Sequence, residues 1–222
     1  DEAHTLGNVA AKQLGLRISR AGIRFDLNRL YDVKRKRGMF QAIRHADGAQ
    51  CVAALNDAVS DFFDLVESSC KFSSWGNEYR IRDRGIVEDS VTEHFLILEK
   101  NISIAAEKVT NDSNRIEILE FARRIKEWRI SINSFLEQSL DGHVYWVERS
   151  KSSGDNLVLN SAPSDVSDEL NELFFNRKNA CVLTSATLSV GENKEVIGYF
   201  KNRVGAESVD SVRIGSPFNY EK

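Results

Sequence analysis

The stretch GAQCVAALNDAVSDFFDLVESSCKF, residues 48–72, contains apolar side chains that recur every three or four positions. That spacing places them on one face of an α-helix, and no proline interrupts the stretch. The predicted inner face consists of Val52, Leu55, Val59, Phe62, Phe63 and Val66. The sequence therefore predicts a long amphipathic helix that packs one face into a core.

Three other stretches repeat this helical pattern. AGIRFDLNRLYDV places Ile23, Leu27, Leu30 and Tyr31 on one face. SVTEHFLILEKNISIAAEKV, residues 90–109, is followed by a helix that Asp112 or Ser113 could cap and that runs to Ser139. The predicted inner face of the helix over residues 90–109 is Val91, Phe95, Leu98, Ile102, Ala105 and Val109. The predicted inner face of the helix that follows is Ile118, Phe121, Ala122, Ile125, Trp128, Ile132, Phe135 and Leu136. Three long helices joined by short loops predict a bundle, and a coiled-coil dimer is the less favoured alternative because the stripes are broader than a heptad seam.

The sequence changes character after Gly142. HVYWVERS and NLVLNSAP predict strands, and ACVLTSATLSV predicts a strand buried on both faces. SDVSDELNELFFNRK, with Ser164 or Asp165 as its cap, and ENKEVIGYFKNRVG predict helices, while SVRIGSPFNYEK begins as a strand. The earlier stretch SSWGNEYRIRDRG, residues 73–85, predicts an irregular connector. A helical block followed by α/β material is the expected order.

Composition restricts the class of protein. The 222 residues carry a formal net charge of −3, and 41% are hydrophobic, which is enough for a core. No apolar run approaches the roughly 20 residues of a membrane span and no secretory leader is visible, so we expect a cytoplasmic protein without membrane association. Because Met39 is the single methionine, we expect the chain to be an internal piece of a longer polypeptide. The cysteines, Cys51, Cys70 and Cys181, match no zinc spacing and are expected to be reduced and buried.

Positive charge is concentrated in one block. Nine Lys or Arg and three Asp lie between Arg17 and Gly48, a local net charge of +6 in an otherwise acidic chain. The densest part is a predicted turn formed by Lys34, Arg35, Lys36 and Arg37. Such a block favours a polyanionic partner, and a solvated helix face is the alternative.

Two short motifs contain the residue types of phosphoryl-transfer chemistry. In DEAH, residues 1–4, Asp1 can hold magnesium and Glu2 can orient an attacking water, with His4 close by. In TSATL, residues 184–188, the hydroxyls of Ser185 and Thr187 would point to the same side of a strand. Each motif has a plain structural alternative: an exposed turn for DEAH, and for TSATL a strand whose hydroxyls bond locally.

Taken in order, DEAH, the helical block, VYWVER, LNSAPSDVSDEL, VLTSATL and GSPFNY resemble the DinG/XPD-type ATP-dependent DNA helicases of superfamily two. The resemblance covers the whole chain and is most specific over residues 144–220, while LRISRAGIRFDLNRLYDVKRKRGMF is similar to bacterial DinG-like members. These helicases insert an arch domain between the two motifs, which agrees with the 184 positions between Asp1 and Ser185. The resemblance implies a mainly α, bundle-like arch-domain insertion with flanking α/β segments of a RecA-like helicase motor domain.

The resemblance also implies domain limits and roles. Residues 1–16 and 143–190 would belong to motor domain 1, residues 17–142 to the arch, and residues 191–222 to the start of motor domain 2. The implied site residues are Asp1 as the magnesium ligand, Glu2 as the catalytic base, and His4, Ser185 and Thr187 as the residues that couple hydrolysis to DNA movement. We therefore expect His4 to lie within hydrogen-bond distance of Ser185 or Thr187.

Mg²⁺ and ATP are implied for the parent protein rather than for this chain alone. The phosphate loop should lie before this chain and the arginine finger after it, so the isolated chain is expected to be inactive. Many relatives carry an iron–sulfur cluster on four cysteines placed before DEAH. A cluster in the parent would therefore not use the cysteines of this chain.

Arches of this family help to form a pore for single-stranded DNA. The implied phosphate contacts are Lys34, Arg35, Lys36 and Arg37. A second group mixes aromatic and cationic residues as a stacking platform would, although a packed connector is the favoured interpretation. This second group is Trp75, Tyr79, Arg80, Arg82 and Arg84.

The expected function is ATP-dependent 5′-to-3′ translocation on single-stranded DNA in repair or replication. The expected partners are single-stranded DNA, ATP and the remainder of the helicase motor, with no oligomer required. One alternative is a fragment of a DinG-like nuclease, which would need an exonuclease domain upstream. The other is a non-catalytic helical module that docks a protein through an exposed apolar patch.

Overall fold

The computed structural model describes residues 1–73, 76–149, 157–176, 180–186, 188, 195–212 and 214. The chain divides into two compact units. The larger unit is Gly15–Ala162, and the smaller one combines Asp1–Leu14 with Pro163–Lys222. The four-part domain division expected from the sequence stays a prediction.

The secondary structure in the described residues alternates between helices and short strands. The helices are α1 (Leu6–Leu14), α2 (Arg20–Leu30), α3 (Met39–Ala42), α4 (Ala46–Ser69), α5 (Thr92–Lys108), α6 (Asp112–Glu137), α7 (Ser167–Leu170) and α8 (Glu195–Arg203). The strands are β1 (Arg17–Ser19), β2 (Glu78–Ile81), β3 (His143–Arg149) and β4 (Leu157–Pro163). A 3₁₀ turn, Ala3–Thr5, precedes α1, and a π-helical turn, Asn171–Phe175, follows α7. None of the helices in this part of the chain is both long and apolar enough to cross a bilayer.

A helical bundle forms the core of the larger unit. Helix α5 packs against α4 and α6, and α2 packs against the same two helices. All six predicted inner-face residues of α4 are at most 1% exposed, which confirms the predicted helix and its buried face. The inner faces predicted for α5 and α6 are also confirmed, with Val109, Ala122 and Trp128 only partly buried. The predicted bundle is therefore present, and its identity as an arch domain stays a prediction.

A four-stranded sheet completes the larger unit, in the order β1-β4-β3-β2. Strand β1 pairs antiparallel with β4, and β2 pairs antiparallel with β3. The two strands predicted after Gly142 are confirmed as β3 and β4. The predicted irregular connector is wrong over β2, where Ile81 is buried and Tyr79 half-buried while Arg80 is exposed. That alternation is the period of a strand, and the exposed Glu78 and Arg80 disguised it.

Two predicted helix caps differ from the structure. The N-cap of α6 is Asn111, whose side chain accepts a hydrogen bond from the backbone N–H of Asn114, so neither Asp112 nor Ser113 is the cap. Asparagine at this position is as good a cap as aspartate or serine, which explains the shift by one or two residues. The N-cap of α7 is Val166, which makes no side-chain cap hydrogen bond, so neither Ser164 nor Asp165 is the cap. Asp165, one residue earlier, accepts a bond from the N–H of Ser167 at 2.9 Å. This bond lowers the pKa of Asp165.

The smaller unit has its own small apolar core. Its buried members are Ala10, Val166, Leu170, Val204 and Ala206. The helix predicted from ENKEVIGYFKNRVG is confirmed as α8, and the helix predicted from SDVSDELNELFFNRK is present as α7 and the π-helical turn.

The strand predicted over ACVLTSATLSV is wrong for the residues that the structure describes. Residues 180–186 and 188 form no strand, and the side chain of Val182 is 82% exposed. A strand buried on both faces needs neighbouring strands and covering layers, and the described residues supply one adjoining segment, at Ala3. Residues 211, 212 and 214 of the predicted final strand are also irregular, and the rest of that stretch lies outside the described residues.

Candidate nucleotide and DNA sites

The DEAH segment is a tight turn that presents its charged side chains to solvent. Ala3 is buried and anchors the turn, while Asp1, Glu2 and His4 are exposed. Glu2 adopts a left-handed backbone conformation with φ of 56°. The N–H and the hydroxyl of Thr5 both donate to the Glu2 carbonyl, at 3.0 and 2.9 Å. These bonds hold the left-handed backbone conformation at Glu2.

The DEAH turn is hydrogen-bonded to the TSATL segment within the smaller unit. The Ala3 N–H donates to the Thr184 carbonyl at 3.0 Å, and the Thr184 hydroxyl donates to Asp1 Oδ1 at 3.2 Å. The Nδ1 atom of His4 lies 3.1 Å from Ser185 Oγ. The expected approach of His4 to Ser185 is therefore confirmed. Thr187, the other predicted coupling residue, lies outside the described residues.

His4 also contacts the carboxylate predicted to be the base. Its Nδ1 lies 3.0 Å from Glu2 Oε2, so Glu2 and Ser185 share one ring nitrogen. A carboxylate can only accept a hydrogen bond here, so its proximity favours the tautomer that carries the proton on Nδ1. In the other tautomer, Nδ1 would accept from the Ser185 hydroxyl. The position of one proton therefore links the Glu2 carboxylate to the TSATL segment.

Asp1 has the chemistry expected of a magnesium ligand. Its Oδ1 accepts bonds from the Glu2 N–H at 2.9 Å and from the Thr184 hydroxyl, which orient the exposed carboxylate. Magnesium in nucleotide sites commonly takes one or two carboxylates, with water and phosphate oxygens completing the shell. The residues present fit such a role. Within the described ranges, no cluster of three or more His, Cys, Asp or Glu side chains is arranged to hold a metal.

Sequence reasoning did not select Thr184 as a site residue. It assumed a regular strand, in which Ser185 and Thr187 share one side and Thr184 points to the other. Because residues 180–186 are irregular, Thr184 and Ser185 both contact the DEAH turn. The sequence does contain a signal, since three hydroxyl residues occur within four positions. Which of these hydroxyls contact the DEAH turn depends on the local backbone conformation.

The predicted DNA-contact residues form an ordered basic turn in the larger unit. Lys34, Arg35, Lys36 and Arg37 are all exposed. The Asp32 N–H donates to the Arg37 carbonyl at 2.7 Å and closes the turn. The Asp32 carboxylate also accepts from the Arg35 N–H at 2.9 Å. The backbone is therefore fixed from both sides while the cationic side chains face solvent.

A cavity of about 550 Å³ adjoins this turn. Lys34 and Arg35 line it together with polar side chains of α2 and α4. The full lining is Arg24, Asn28, Asp32, Val33, Lys34, Arg35, Ala53, Asn56 and Asp57. Mixed charge and amide groups give this surface donors and acceptors beside the basic turn.

The second group of possible DNA contacts combines a packed aromatic residue with exposed arginines. The ring of Tyr79 packs against Phe72 with centroids 6.1 Å apart, and the guanidinium of Arg149 stacks on Phe72. Arg80, Arg82 and Arg84 are exposed, and Trp75 lies outside the described residues. For Tyr79, the packing favours the connector interpretation over a stacking platform.

The three cysteines are free thiols. Cys70 is buried as expected, whereas Cys51 and Cys181 are only half-buried. Burial raises the pKa of Cys70 to about 11. Burial and the nearby Asp47 carboxylate raise the pKa of Cys51. Both thiols therefore stay protonated at neutral pH.

The chain is similar in amino-acid sequence to known helicases. The chain is 24% identical to the ATP-dependent DNA helicase YoaA of Escherichia coli (strain K12) and 26% identical to YoaA of Haemophilus influenzae. It is 22% identical to the probable ATP-dependent helicase YpvA of Bacillus subtilis (strain 168). The chain is similar to ATP-dependent helicases over its whole length. No protein-family model matches it.

These matches cover at least 99% of the chain but 32% of each relative. The chain therefore spans about a third of the length of the curated relatives that it matches. The names of these relatives agree with the helicase resemblance carried by DEAH and TSATL.

Proposed function

We propose that this chain is the part of a DinG/XPD-type ATP-dependent DNA helicase that runs from the DEAH motif through an arch domain to the TSATL motif. The observation that carries the proposal is the junction between the DEAH turn and Thr184 and Ser185, which lie more than 180 positions further along the chain. The similarity to ATP-dependent helicases supports it.

In this function the DEAH turn does the chemistry of ATP hydrolysis. Asp1 would hold Mg²⁺, which neutralises charge on the β- and γ-phosphates. Glu2 would orient and deprotonate the attacking water as the catalytic base. Thr184 positions the Asp1 carboxylate through its hydroxyl. A phosphate loop and an arginine finger from the remainder of the motor would complete the site.

His4 would pass the state of the site to the TSATL segment. Its Nδ1 contacts Glu2 and Ser185 together, so a change in charge beside Glu2 changes the hydrogen bond to Ser185. Thr187 would take part on the same segment. This link would couple hydrolysis to 5′-to-3′ movement along single-stranded DNA during repair or replication, with the basic turn Lys34–Arg37 contacting phosphates.

One observation favours the docking-module alternative. Ile116 is 70% exposed and Leu119 is 52% exposed, and both lie on α6 one turn apart. Single exposed apolar residues are common on protein surfaces, and two of them do not make a large patch. The helicase function therefore remains the better supported proposal.

The test uses the full-length polypeptide that contains this chain. Single-stranded DNA should stimulate its ATP hydrolysis, and Glu2→Gln should lower the stimulated rate by at least about a hundredfold, the lower end of what a general base contributes. Glu107→Gln, an exposed change on α5, is the matched control and should leave the rate unchanged. A duplex with a 5′ tail should be unwound faster than one with a 3′ tail.

Wild-type protein without DNA-stimulated hydrolysis would refute the proposal. DNA cleavage that persists in Glu2→Gln, with no unwinding in either protein, would instead support the nuclease alternative.

A further inference from the structure

The residue proposed as the base of ATP hydrolysis has a backbone conformation that few residues with a side chain adopt. Glu2 has φ of 56° and ψ of 38°, in the left-handed helical region. In that region the Cβ atom of an L-residue crowds a backbone carbonyl oxygen, so residues other than glycine adopt it rarely. Such a conformation persists only where neighbouring contacts hold it, and it occurs preferentially at functional sites.

Both peptide groups that flank Glu2 are hydrogen-bonded. The Glu2 N–H donates to Asp1 Oδ1 at 2.9 Å. In the peptide group that follows, the Glu2 carbonyl accepts from Thr5, and the Ala3 N–H donates to the Thr184 carbonyl at 3.0 Å. The orientations of these two peptide groups define φ and ψ at Glu2. The contacts therefore fix the direction in which the Glu2 side chain leaves the backbone.

Thr5 donates twice to the Glu2 carbonyl, from its N–H at 3.0 Å and from its hydroxyl at 2.9 Å. Serine and threonine hydroxyls often bond to a carbonyl three or four residues earlier within a helix. Here the accepting residue is instead the left-handed N-cap of the 3₁₀ turn. Because the Thr5 side chain is exposed, water could satisfy its hydroxyl, and burial does not explain this bond.

The conformation of Glu2 decides where its carboxylate lies. Its Oε2 atom is 3.0 Å from His4 Nδ1. A change of Glu2 to an extended or right-handed conformation would turn its Cα–Cβ bond and move the carboxylate from this position. A general base must lie within hydrogen-bond reach of the proton that it takes, so a small displacement lowers the rate of the chemical step.

We propose that Thr5 is a positioning residue for the base: its hydroxyl holds the Glu2 backbone in the left-handed conformation that places the carboxylate for the attacking water. This inference rests on the proposed function, because it takes Glu2 as the base. Thr5 acts through the Glu2 carbonyl and does not itself transfer a proton.

The test replaces Thr5 in the full-length polypeptide. Thr5→Val removes the hydroxyl and keeps the β-branched shape and the backbone N–H. Thr5→Ala also removes the hydroxyl, with a smaller side chain, and Thr5→Ser keeps it. Thr110→Val, at an exposed threonine between α5 and α6, is the matched control. Thermal unfolding of each variant checks that the fold is kept.

The first measurement is ATP hydrolysis with saturating single-stranded DNA. Loss of one hydrogen bond should lower kcat about two- to tenfold in Thr5→Val and Thr5→Ala. KM for ATP should stay unchanged, because Glu2 is not proposed to bind the nucleotide. Thr5→Ser should restore kcat toward the wild-type value, and Thr110→Val should match the wild type.

The second measurement is hydrogen–deuterium exchange of a proteolytic peptide that covers residues 1–5, which does not depend on activity. Exchange should be about two- to tenfold faster in Thr5→Val, because the turn opens more often without the hydroxyl bond. Exchange in Thr5→Ser and Thr110→Val should match that of the wild type.

The positioning role and the helicase function fail in different ways. An active wild type whose kcat is unchanged in Thr5→Val would overturn the positioning role alone. The same conclusion would follow from an equal loss in Thr5→Ser, or from a raised KM at constant kcat. A wild type without DNA-stimulated hydrolysis would refute the helicase function, and the exchange measurement would still decide whether Thr5 holds Glu2.

Discussion

The Nδ1 atom of His4 lies 3.1 Å from the Oγ atom of Ser185, although 181 positions separate the two residues. The same nitrogen lies 3.0 Å from the Glu2 carboxylate. A residue proposed to activate water is therefore one histidine away from the segment proposed to sense hydrolysis.

Ser185→Ala should weaken this coupling without removing the catalytic carboxylates. A hydrogen bond of this kind contributes about 0.5–1.5 kcal/mol, so we expect unwinding by the full-length protein to slow about two- to tenfold. ATP hydrolysis without DNA should change less. Unwinding and hydrolysis are measured together, with Ser103→Ala on α5 as the control. Equal losses of both activities would show that Ser185 serves the chemistry itself.

Replacing Lys34, Arg35, Lys36 and Arg37 by alanine should weaken binding to single-stranded DNA. Each lost phosphate contact lowers the salt slope by about 0.7, so the slope should flatten by up to about 3. ATP hydrolysis without DNA should barely change, because the chemistry is proposed to lie on Asp1 and Glu2. A salt titration of both proteins provides the measurement. An unchanged slope would show that the turn is a solvated loop that does not contact DNA.

The isolated 222-residue chain should not hydrolyse ATP at a rate stimulated by DNA. It contains the proposed metal ligand and base, but its sequence has no GxxxxGK[ST] motif to position the nucleotide. A phosphate-release assay with and without oligonucleotide measures this. Stimulated turnover that Glu2→Gln abolishes would contradict the prediction.

Trp128→Phe should destabilise the larger unit. The indole N–H donates to Asp26 Oδ2 at 2.8 Å, and Asp26 is fully buried, with Arg124 Nη2 2.5 Å from its other oxygen. Loss of one donor to a buried carboxylate costs about 1–3 kcal/mol, which lowers Tm by roughly 2–4 °C per kcal/mol. Thermal unfolding is compared with that of Trp146→Phe on β3. A Tm within 1 °C of the wild-type value would show that Arg124 alone satisfies Asp26.

Cys70 should make stability fall in alkaline solution. Its pKa is raised to about 11 by burial, above the value of about 8.5 for an unfolded thiol. Between these values the folded thiol keeps a proton that the unfolded thiol loses, so the stabilising contribution present below about pH 8.5 is lost as pH rises toward 11. From pH 8 to pH 10, Cys70→Ala should therefore lose roughly 1–2 kcal/mol less free energy of unfolding than the wild type.

Denaturant titrations at the two pH values test this prediction. Cys181→Ala provides the control and should behave like the wild type. A Cys70→Ala variant that loses as much stability as the wild type would place the alkaline sensitivity elsewhere.

The helical part of the fold was predictable because burial there follows the helical period. The six apolar residues predicted to be buried on α4 are at most 1% exposed. Their spacing alone identifies them, without knowledge of the helices against which α4 packs. Strand β2 was missed because it has four residues, of which Glu78 and Arg80 are exposed. Such a short strand is defined by its pairing with β3, a contact between distant segments that local pattern does not contain.

The site was predictable in its residue types and less so in its geometry. The motif order led to the pairing of His4 with Ser185, which the structure confirms. The role of Thr184 was missed because the expected strand is absent from the described residues 180–186. Buried apolar runs indicate strands only where neighbouring strands are available, and sequence alone does not show which neighbours a segment has.

Strands β1 and β4 hold the two ends of the larger unit side by side. The Ser161 N–H donates to the Leu16 carbonyl at 2.9 Å, and the Leu16 N–H donates to the Ser161 hydroxyl at 3.1 Å. Bringing together the ends of a flexible segment of this length costs about 4 kcal/mol of chain entropy. This cost is met within Gly15–Ala162 itself, because the paired residues at both ends belong to the larger unit.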